Sequence, residues 1–361
     1  MGMVSPSKDH IPPFFILVPL LGVGVWLGIG KVGLELLALV MLVVLLCNVV
    51  AAVHHAEVVA LRVGEPYGGL LLALSVTVIE AGLIISLMLS GEPKPALMRD
   101  TMIATIVLVL HGIAGLAILV GGVIHRENRF RVPGANALLA VLMPLAVLVL
   151  VLPNHTVSAP GPFLSNAQLA YVALVCLGLY GAFLFIQTRW HREYFLPVES
   201  AEGEAHARPG LRLAVYSFIL LCVSLFSVVM LAKGIAPALE DGVAQLGAPA
   251  AIVGVIVAAI VLMPEAGAAL RAAANNRMQA AINLSLGSGV ACIGLTLPAV
   301  AFVSWWFDMP LSLGISANNS VMLFLGFAVA MLTYGTGRTN ILSGIIHLVL
   351  AATFVFTIFA P

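Results

Sequence analysis

Long apolar segments separated by short polar ones follow one another along the whole chain. A helix needs about 20 apolar residues to cross a bilayer, so these segments predict membrane-spanning helices. Eleven spans are predicted, at 13–30, 33–53, 67–90, 99–123, 136–152, 166–187, 213–234, 248–270, 278–305, 319–334 and 340–360. The pattern therefore predicts an all-α polytopic membrane protein.

The predicted spans divide into one leading helix and two sets of five. Residues 1–32 hold the N-terminal segment and leading helix, 33–187 the first set, and 213–361 the second. A set of five spans ends on the side opposite to its start, so the second set is inverted relative to the first. Inverted repeats place a transport site near the bilayer midplane. Residues 188–212 form a polar linker, predicted to be cytoplasmic.

Composition excludes several classes of function. The chain is 61% hydrophobic and 9% charged, with mean hydropathy +1.13, as in an integral membrane protein. Sixteen basic residues balance sixteen acidic ones without a basic run, which argues against nucleic-acid binding. The four cysteines lie in apolar segments without CxxC spacing, so neither disulfides nor zinc are expected. The sequence shows no G-x-S-x-G, H-E-x-x-H or D-D-x-x-D motif, so we expect no enzyme.

Basic residues predict the orientation of the chain. With the N-terminus in the cytoplasm and the C-terminus outside, twelve Lys and Arg residues face inward and four face outward. The connections 153–165 and 306–318 carry no basic residue, as expected of outer loops.

Two glutamates lie within apolar segments, each in the second span of its set. Glu80 falls in 67–90 and Glu265 in 248–270. A carboxylate in the bilayer centre costs at least about 2 kcal/mol, and intramembrane acids are functional by default. Few intramembrane basic residues are available as partners, so the expected counter-charge is a transported cation or a proton. A structural pair bonded to backbone or hydroxyl groups is the alternative.

Three stretches resemble one transporter family. Residues 61–81 carry Gly-Gly eleven positions before Glu80; residues 264–290 carry Glu265, a basic Asn-Arg-Met turn and Leu-Gly-Ser; residues 337–344 begin with Gly-Arg-Thr-Asn. The chain thus resembles the cation/proton exchanger branch of the calcium/cation antiporter superfamily, most closely its bacterial ChaA-type sodium-calcium/proton antiporters. The family's Gly-Asn before each glutamate is here Val76-Thr77 and Val261-Leu262, and its His after the second glutamate is Ala266. This departure removes the Asn amides and the open Gly backbone that would serve as calcium ligands, so the resemblance leaves the choice among Ca²⁺, Na⁺ and K⁺ open.

The resemblance implies an antiporter of the bacterial inner membrane that exports Ca²⁺ in exchange for protons. An Na⁺(K⁺)/H⁺ antiporter with little calcium activity is the alternative. Cation and protons would compete for Glu80 and Glu265, because burial disfavours a charged carboxyl group. A passive channel is less favoured, since two halves with one glutamate each indicate a carrier. The expected partners are inorganic cations, protons and lipid, without a bound cofactor; the sequence does not determine the oligomeric state.

Neutral oxygens are needed as well, because Ca²⁺ takes six to eight oxygen ligands. Thr77 lies one helical turn before Glu80 and on the same face. Pro264 lacks an N–H, which leaves a carbonyl one turn earlier without its donor. Asn283 and Ser285, on the following helix, complete the predicted cation and proton site.

Other polar residues have both a structural and a functional interpretation. His111 and His347 are predicted to be packed neutral histidines, with a proton relay as the alternative. The cluster His54-His55 with Glu57 is interpreted as an interfacial cap, with a metal site as the alternative. Lys31 and Glu35 are expected to form an interfacial ion pair. Acidic residues of the linker are expected to be solvated and not to sense calcium, since EF-hand spacing is missing; they are Glu199, Glu202 and Glu204.

Overall fold

A computed structural model describes residues 11–28, 34–64, 67–90, 94–196 and 209–360, with the backbone alone at 34–37, 67, 69 and 70. The expected Lys31–Glu35 ion pair and the acidic linker residues Glu199, Glu202 and Glu204 lie outside this description. Helices make up nearly all of the described chain.

The chain divides into two compact units. The first comprises Met1–Glu92 and Ala201–Gly242, and the second Pro93–Ser200 and Val243–Pro361. Each unit combines helices from both predicted repeats. The repeat boundaries themselves stay a prediction.

The first unit is built on four helices. They are α1 (Pro13–Gly28), α2 (Leu34–Val63), α3 (Tyr67–Met88) and most of α8 (Leu211–Gln245). Only three residues separate α2 from α3, and a Cβ on Gly68 would lie 3.1 Å from the carbonyl carbon of Ala60. This close approach makes α2 and α3 an antiparallel pair.

The second unit holds the remaining helices and two short strands. The helices are α4 (Leu97–Val107), α5 (Ala114–His125), α6 (Val132–Ala146), α7 (Asn166–Phe185), α9 (Ala251–Ala274), α10 (Met278–Ala291), α11 (Leu297–Trp306), α12 (Ala317–Tyr334) and α13 (Ile341–Phe359). The strands β1 (Glu127–Arg129) and β2 (Arg338–Asn340) pair antiparallel, with Asn128 opposite Thr339. Short 3₁₀ turns occur at Leu152–His155 and Arg192–Phe195.

π-helical turns connect several of these helices. They cover Leu108–Ile113, Val147–Val151, Ile186–Trp190 and Cys292–Thr296. A π turn widens the helix and changes which carbonyls are paired, and such turns are frequent at functional sites. Helices α4 and α5 therefore form one continuous span, Leu97–His125.

Ten of the eleven predicted membrane spans are confirmed among the described residues. Ten helical segments in the described residues are long and apolar enough to cross a membrane, and α1 is a shorter apolar helix. Each coincides with one predicted span. The largest differences are in α2, which continues to Val63, and α8, which continues to Gln245. Both extensions carry charged residues. These residues lower the mean hydropathy, so the predicted spans end before the helices do.

Glycines allow helices to pack closely in the second unit. A Cβ at Gly115 of α5 would lie 2.9 Å from the Cβ of His347 in α13, and one at Gly122 would lie 2.9 Å from the backbone nitrogen of Ile341. Added side chains would force these helices apart. Small residues at a helix interface let the two backbones approach closely.

Candidate cation and proton site

Glu80 lies near the middle of α3, a helix of 22 residues, and is only 3% exposed. Thr77 and Ser75, on the same helix, are each 6% exposed. The Thr77 hydroxyl donates to the Ala73 carbonyl at 2.9 Å, and the Ser75 hydroxyl donates to the Leu71 carbonyl at 2.8 Å. These bonds use each hydroxyl proton and leave the oxygen lone pairs as acceptors. Thr77 is therefore suited to accept from a donor or to bind a cation beside Glu80.

Helix α3 is held against α8 at one point. A Cβ on Gly82 would lie 2.7 Å from a methyl group of Val229, and the Ser86 hydroxyl donates to the Val229 carbonyl at 3.2 Å. Since Gly82 follows Glu80 by two residues, this contact sets the height of Glu80 along α8.

Glu265 lies in the second unit, on the helix α9, and is half-buried. Pro264 precedes it inside a helix that continues from Ala251 to Ala274. Because proline has no N–H, the Ile260 carbonyl lacks its usual helical donor. At the start of the helix, a Cβ on Gly254 would lie 2.7 Å from the carbonyl carbon of Asp100. This close contact with α4 positions α9 and hence Glu265.

Asn283 and Ser285 lie on α10, and both side chains bond to backbone carbonyls of the second unit. The Asn283 amide donates to the Phe195 carbonyl at 2.7 Å. The fully buried Ser285 donates to the Val109 carbonyl, which belongs to the π turn at Leu108–Ile113. Their role as cation ligands stays a prediction.

Gln279 is a buried polar residue that sequence reasoning missed. It is 2% exposed; its side-chain nitrogen donates to Asn283 Oδ1 at 2.9 Å, and its oxygen accepts from the Arg131 backbone N–H at 2.6 Å. It therefore orients Asn283. The available signal was the spacing of Gln279 and Asn283, which are neighbours one helical turn apart.

His111 and His347 form a pair that was predicted only as two separate histidines. Their Nδ1 atoms are 2.7 Å apart, and their rings stack with centroids 4.9 Å apart. His347 Nε2 also lies 3.1 Å from the Thr333 hydroxyl. One Nδ1 must donate and the other accept, so the pair shares a proton in the neutral state.

The His54-His55 cluster lies inside α2, not at its end. His55 Nε2 donates to the Phe15 carbonyl at 2.9 Å, and the His54 ring stacks on Phe15 with centroids 3.7 Å apart. Both histidines thus pack against α1. Among the described residues, no group of three His, Cys, Asp or Glu residues is placed to hold a metal ion.

A cavity of about 640 Å³ with a mixed polar and apolar lining opens in the second unit. Its lining includes Arg99 and Asp100, which form an ion pair at 2.8 Å, and Ala251 at the start of α9. The predicted outer loops meet here, because Asn154 donates to the Ile315 carbonyl at 2.6 Å and Phe163 pairs with Ser312. The cavity therefore lies beside the N-terminal end of α9, the helix that carries Glu265.

Comparison with known sequences identifies the family. The profile of the family described as "Sodium/calcium exchanger protein" matches residues 33–189 and 216–360. The two matched stretches coincide closely with the predicted sets of five helices.

Several relatives match most of the chain, among them two with at least 36% identity. The "Putative ionic transporter y4hA" of Sinorhizobium fredii is 44% identical over 312 residues, which cover 86% of this chain and 84% of that protein. The "Sodium-potassium/proton antiporter ChaA" of Escherichia coli is 36% identical over 326 residues, which cover 89% and 88%.

Solved structures share the fold. The structure of native YfkE has a TM-score of 0.74 at 18% identity and covers 96% of this chain and 100% of that one. The structure of the H⁺/Ca²⁺ exchanger CAX has a TM-score of 0.70 at 14% identity, with 95% and 87% covered. With its family profile, relatives and fold in agreement, the chain belongs to the sodium/calcium exchanger protein family.

Proposed function

We propose that this protein is a secondary active antiporter that exchanges a cation for protons across the bacterial inner membrane. The observation that carries the proposal is Glu80, a carboxyl group that is 3% exposed in the middle of an apolar helix. A relative at 36% identity is named a sodium-potassium/proton antiporter, and another at 26% identity is named a Ca²⁺/H⁺ antiporter, which supports this class of reaction.

Glu80 and Glu265 are the proposed exchange sites. Each binds a proton or contributes to binding a cation, so the two kinds of ligand compete. If the empty site with both carboxylates charged cannot reorient, cation movement in one direction requires proton movement in the other. Coupling then needs no further machinery than the two carboxyl groups.

Ca²⁺ is the first candidate for the cation, because two carboxylates cancel its charge. The proposed neutral ligands are Thr77, Asn283 and Ser285 together with the Ile260 carbonyl, which lacks its usual helical donor because of Pro264.

Monovalent Na⁺ or K⁺ is the second candidate, and one observation favours it. The side chains of Asn283 and Ser285 bond to the Phe195 and Val109 carbonyls, and Asn283 Oδ1 already accepts from Gln279. Fewer neutral oxygens are then ready for Ca²⁺, which needs six to eight. The 36% identical relative named for sodium and potassium supports the same candidate.

The test is ion flux in proteoliposomes driven by an imposed pH gradient. Ca²⁺, Na⁺ and K⁺ are offered separately, and uphill accumulation is measured with the gradient as the only energy source. Accumulation of a cation against its own gradient supports an antiporter. Flux that only runs downhill would indicate a channel, and no flux of any of these ions would contradict the proposal.

A further inference from the structure

Five buried polar side chains in the first unit have no part in the proposed exchange site. Asn48 and His55 lie on α2, and Ser217, Ser224 and Ser227 lie on α8; all five are 0% exposed. Each has one side-chain atom without a hydrogen-bond partner in the described structure: Asn48 Oδ1, His55 Nδ1 and the three serine Oγ atoms. Buried polar groups are almost always satisfied by protein or by ordered water.

Asn48 Oδ1 and His55 Nδ1 are acceptors, and each needs a hydrogen-bond donor. The Asn48 amide nitrogen already donates to the Val18 and Val44 carbonyls, at 3.2 and 2.9 Å, which leaves Oδ1 as an acceptor. His55 Nε2 donates to the Phe15 carbonyl, so Nδ1 carries a lone pair. Water meets this need, because it can donate to Oδ1 and Nδ1 and exchange hydrogen bonds with hydroxyl groups.

Two contacts align α2 with α8. Near the middle, Asn48 and Ser227 converge on Gly22 of α1, where an added Cβ would lie 2.6 Å from Asn48 Nδ2 and would also contact Ser227 Oγ. At one end, Arg62 donates to the Pro209 carbonyl at 3.4 Å. Helices α2 and α8 are therefore antiparallel neighbours. Residues later in α2 and residues earlier in α8 lie toward the same end of the pair, the end at which Arg62 contacts Pro209.

Helix geometry spaces these positions along the pair. His55 lies seven residues from Asn48, which is roughly 10 Å toward the Arg62 end. Ser224 and Ser217 lie three and ten residues from Ser227, roughly 4.5 and 15 Å in the same direction. The five side chains thus form a line from the middle of the unit to the end at which α2 stops and α8 begins.

The inner end of this line lies at the height of Glu80. Helices α2 and α3 are antiparallel, as are α2 and α8, so α3 and α8 are parallel. Gly82 contacts Val229, and Glu80 and Ser227 each precede that contact by two residues. Both therefore lie roughly 3 Å from it on the same side.

We propose that these five side chains line a file of water that conducts protons between the level of Glu80 and the Arg62–Pro209 end of the first unit. This rests on the proposed cation/proton exchange. His55 takes part through Nδ1 alone: it accepts a proton from one water and returns that proton to the next, while Nε2–H stays bonded to the Phe15 carbonyl. No other bond is made or broken, and the imidazole ends in its starting form.

Other ionisable groups of this unit set the electrostatic surroundings. Helix α1 carries none. The His54 ring centroid is 5.5 Å from that of His55. The remaining charged residues with described side chains in α2, α3 and the first-unit part of α8 are Glu57, Arg62, Glu80, Arg212, Lys233, Glu240 and Asp241.

The test compares turnover with cation affinity in proteoliposomes. In the double variant Ser224→Ala/Ser227→Ala, maximal ΔpH-driven exchange should fall at least roughly tenfold, because a proton-transfer step loses positioned groups. The cation KM should stay within roughly twofold, since the glutamates are unchanged. The ratio of rates in H₂O and D₂O should rise as proton delivery becomes limiting.

A second variant guards against a folding defect. His55→Gln keeps an amide N–H for the Phe15 carbonyl and a carbonyl acceptor, but cannot carry a proton, so it should also slow turnover. The matched control is Ser288→Ala, because the Ser288 hydroxyl already donates to the Leu284 carbonyl at 2.9 Å. It should leave both parameters unchanged.

The outcomes separate this inference from the proposed function. Wild-type turnover and isotope ratio in folded Ser224→Ala/Ser227→Ala and His55→Gln, beside an active wild type, would overturn the water file and leave the exchange intact. A KM that rises as much as turnover falls would show that these groups bind the cation instead, which also overturns it. An inactive wild type would contradict the exchange itself.

Discussion

At the scale of single residues, Glu80 and Glu265 are the proposed exchange sites. Glu80→Gln and Glu265→Gln are nearly isosteric but cannot bear a negative charge, so each variant should insert normally and lose ΔpH-driven cation exchange. Initial flux in proteoliposomes, normalised to reconstituted protein, measures this. Substantial flux in either variant would remove that glutamate from the mechanism.

Glu127→Gln is the matched control for both substitutions. Its carboxylate is exposed and lies 3.5 and 3.7 Å from Arg129 and Arg338. Exposed ion pairs contribute about 0–1 kcal/mol, so this variant should exchange at the wild-type rate.

Competition at the same carboxyl groups also predicts a pH dependence. A proton on Glu80 or Glu265 removes the charge that holds the cation, so the apparent KM should fall as the pH rises. Under the proposed exchange, Ca²⁺ displaces two protons and Na⁺ displaces one, so the fall should be steeper for Ca²⁺ than for Na⁺. KM measured from about pH 6.5 to 9 tests this. A flat calcium KM would mean that protons and calcium bind elsewhere.

At the scale of elements, the His111–His347 pair joins the π turn of the α4–α5 span to α13. His347→Phe removes one partner and leaves a polar ring buried, which costs about 1–3 kcal/mol of stability. The midpoint of thermal unfolding in detergent should therefore fall. His111→Phe should have the same effect for the same reason.

The double variant isolates the pairwise contribution. His111→Phe/His347→Phe removes both polar groups, so its destabilisation should be smaller than the sum of the two single effects. Additive effects would show that the 2.7 Å contact does not contribute to the stability of this helix pair. Exchange activity measured on the same variants reports whether the pair also relays protons.

At the scale of the whole molecule, the distribution of basic residues predicts which loops face the cytoplasm. In a background without Cys47, Cys176, Cys222 and Cys292, Ser158→Cys should react with an impermeant thiol reagent in intact cells. Glu127→Cys, which lies in the basic loop 126–131, should react only after permeabilisation. The opposite pattern would reverse the orientation.

Much of the fold could be predicted because a bilayer leaves few choices to the backbone. Every polar backbone group in hydrocarbon must be bonded internally, so apolar segments of sufficient length become helices. Asn340 illustrates a local feature that is also readable: in the Gly-Arg-Thr-Asn motif it caps α13, accepting a bond from the Ser343 N–H at 3.3 Å. The lengths of α2 and α8 were underestimated because charged residues near helix ends resemble loops.

Side-chain partners were less predictable. Asn283 and Ser285 were placed on the correct helix, but their bonds to Phe195 and Val109 depend on segments 88 and 176 residues away in the chain. The same holds for His111 and His347, which lie 236 residues apart. No local pattern encodes such contacts, since they depend on which helices pack together.

The sequence by itself determined that the protein crosses the membrane many times and that two glutamates lie in apolar helices; the division of its spans into two sets of five stays a prediction. Those properties follow from hydropathy and from the high cost of a charge in hydrocarbon. Only the tertiary structure decided which buried polar groups find a partner in the described protein, as the paired histidines, Asn283 and Ser285 do, and which do not, as in the line from Asn48 to Ser217. The physical reason is that a hydrogen bond between helices depends on their relative height and rotation, which packing alone sets.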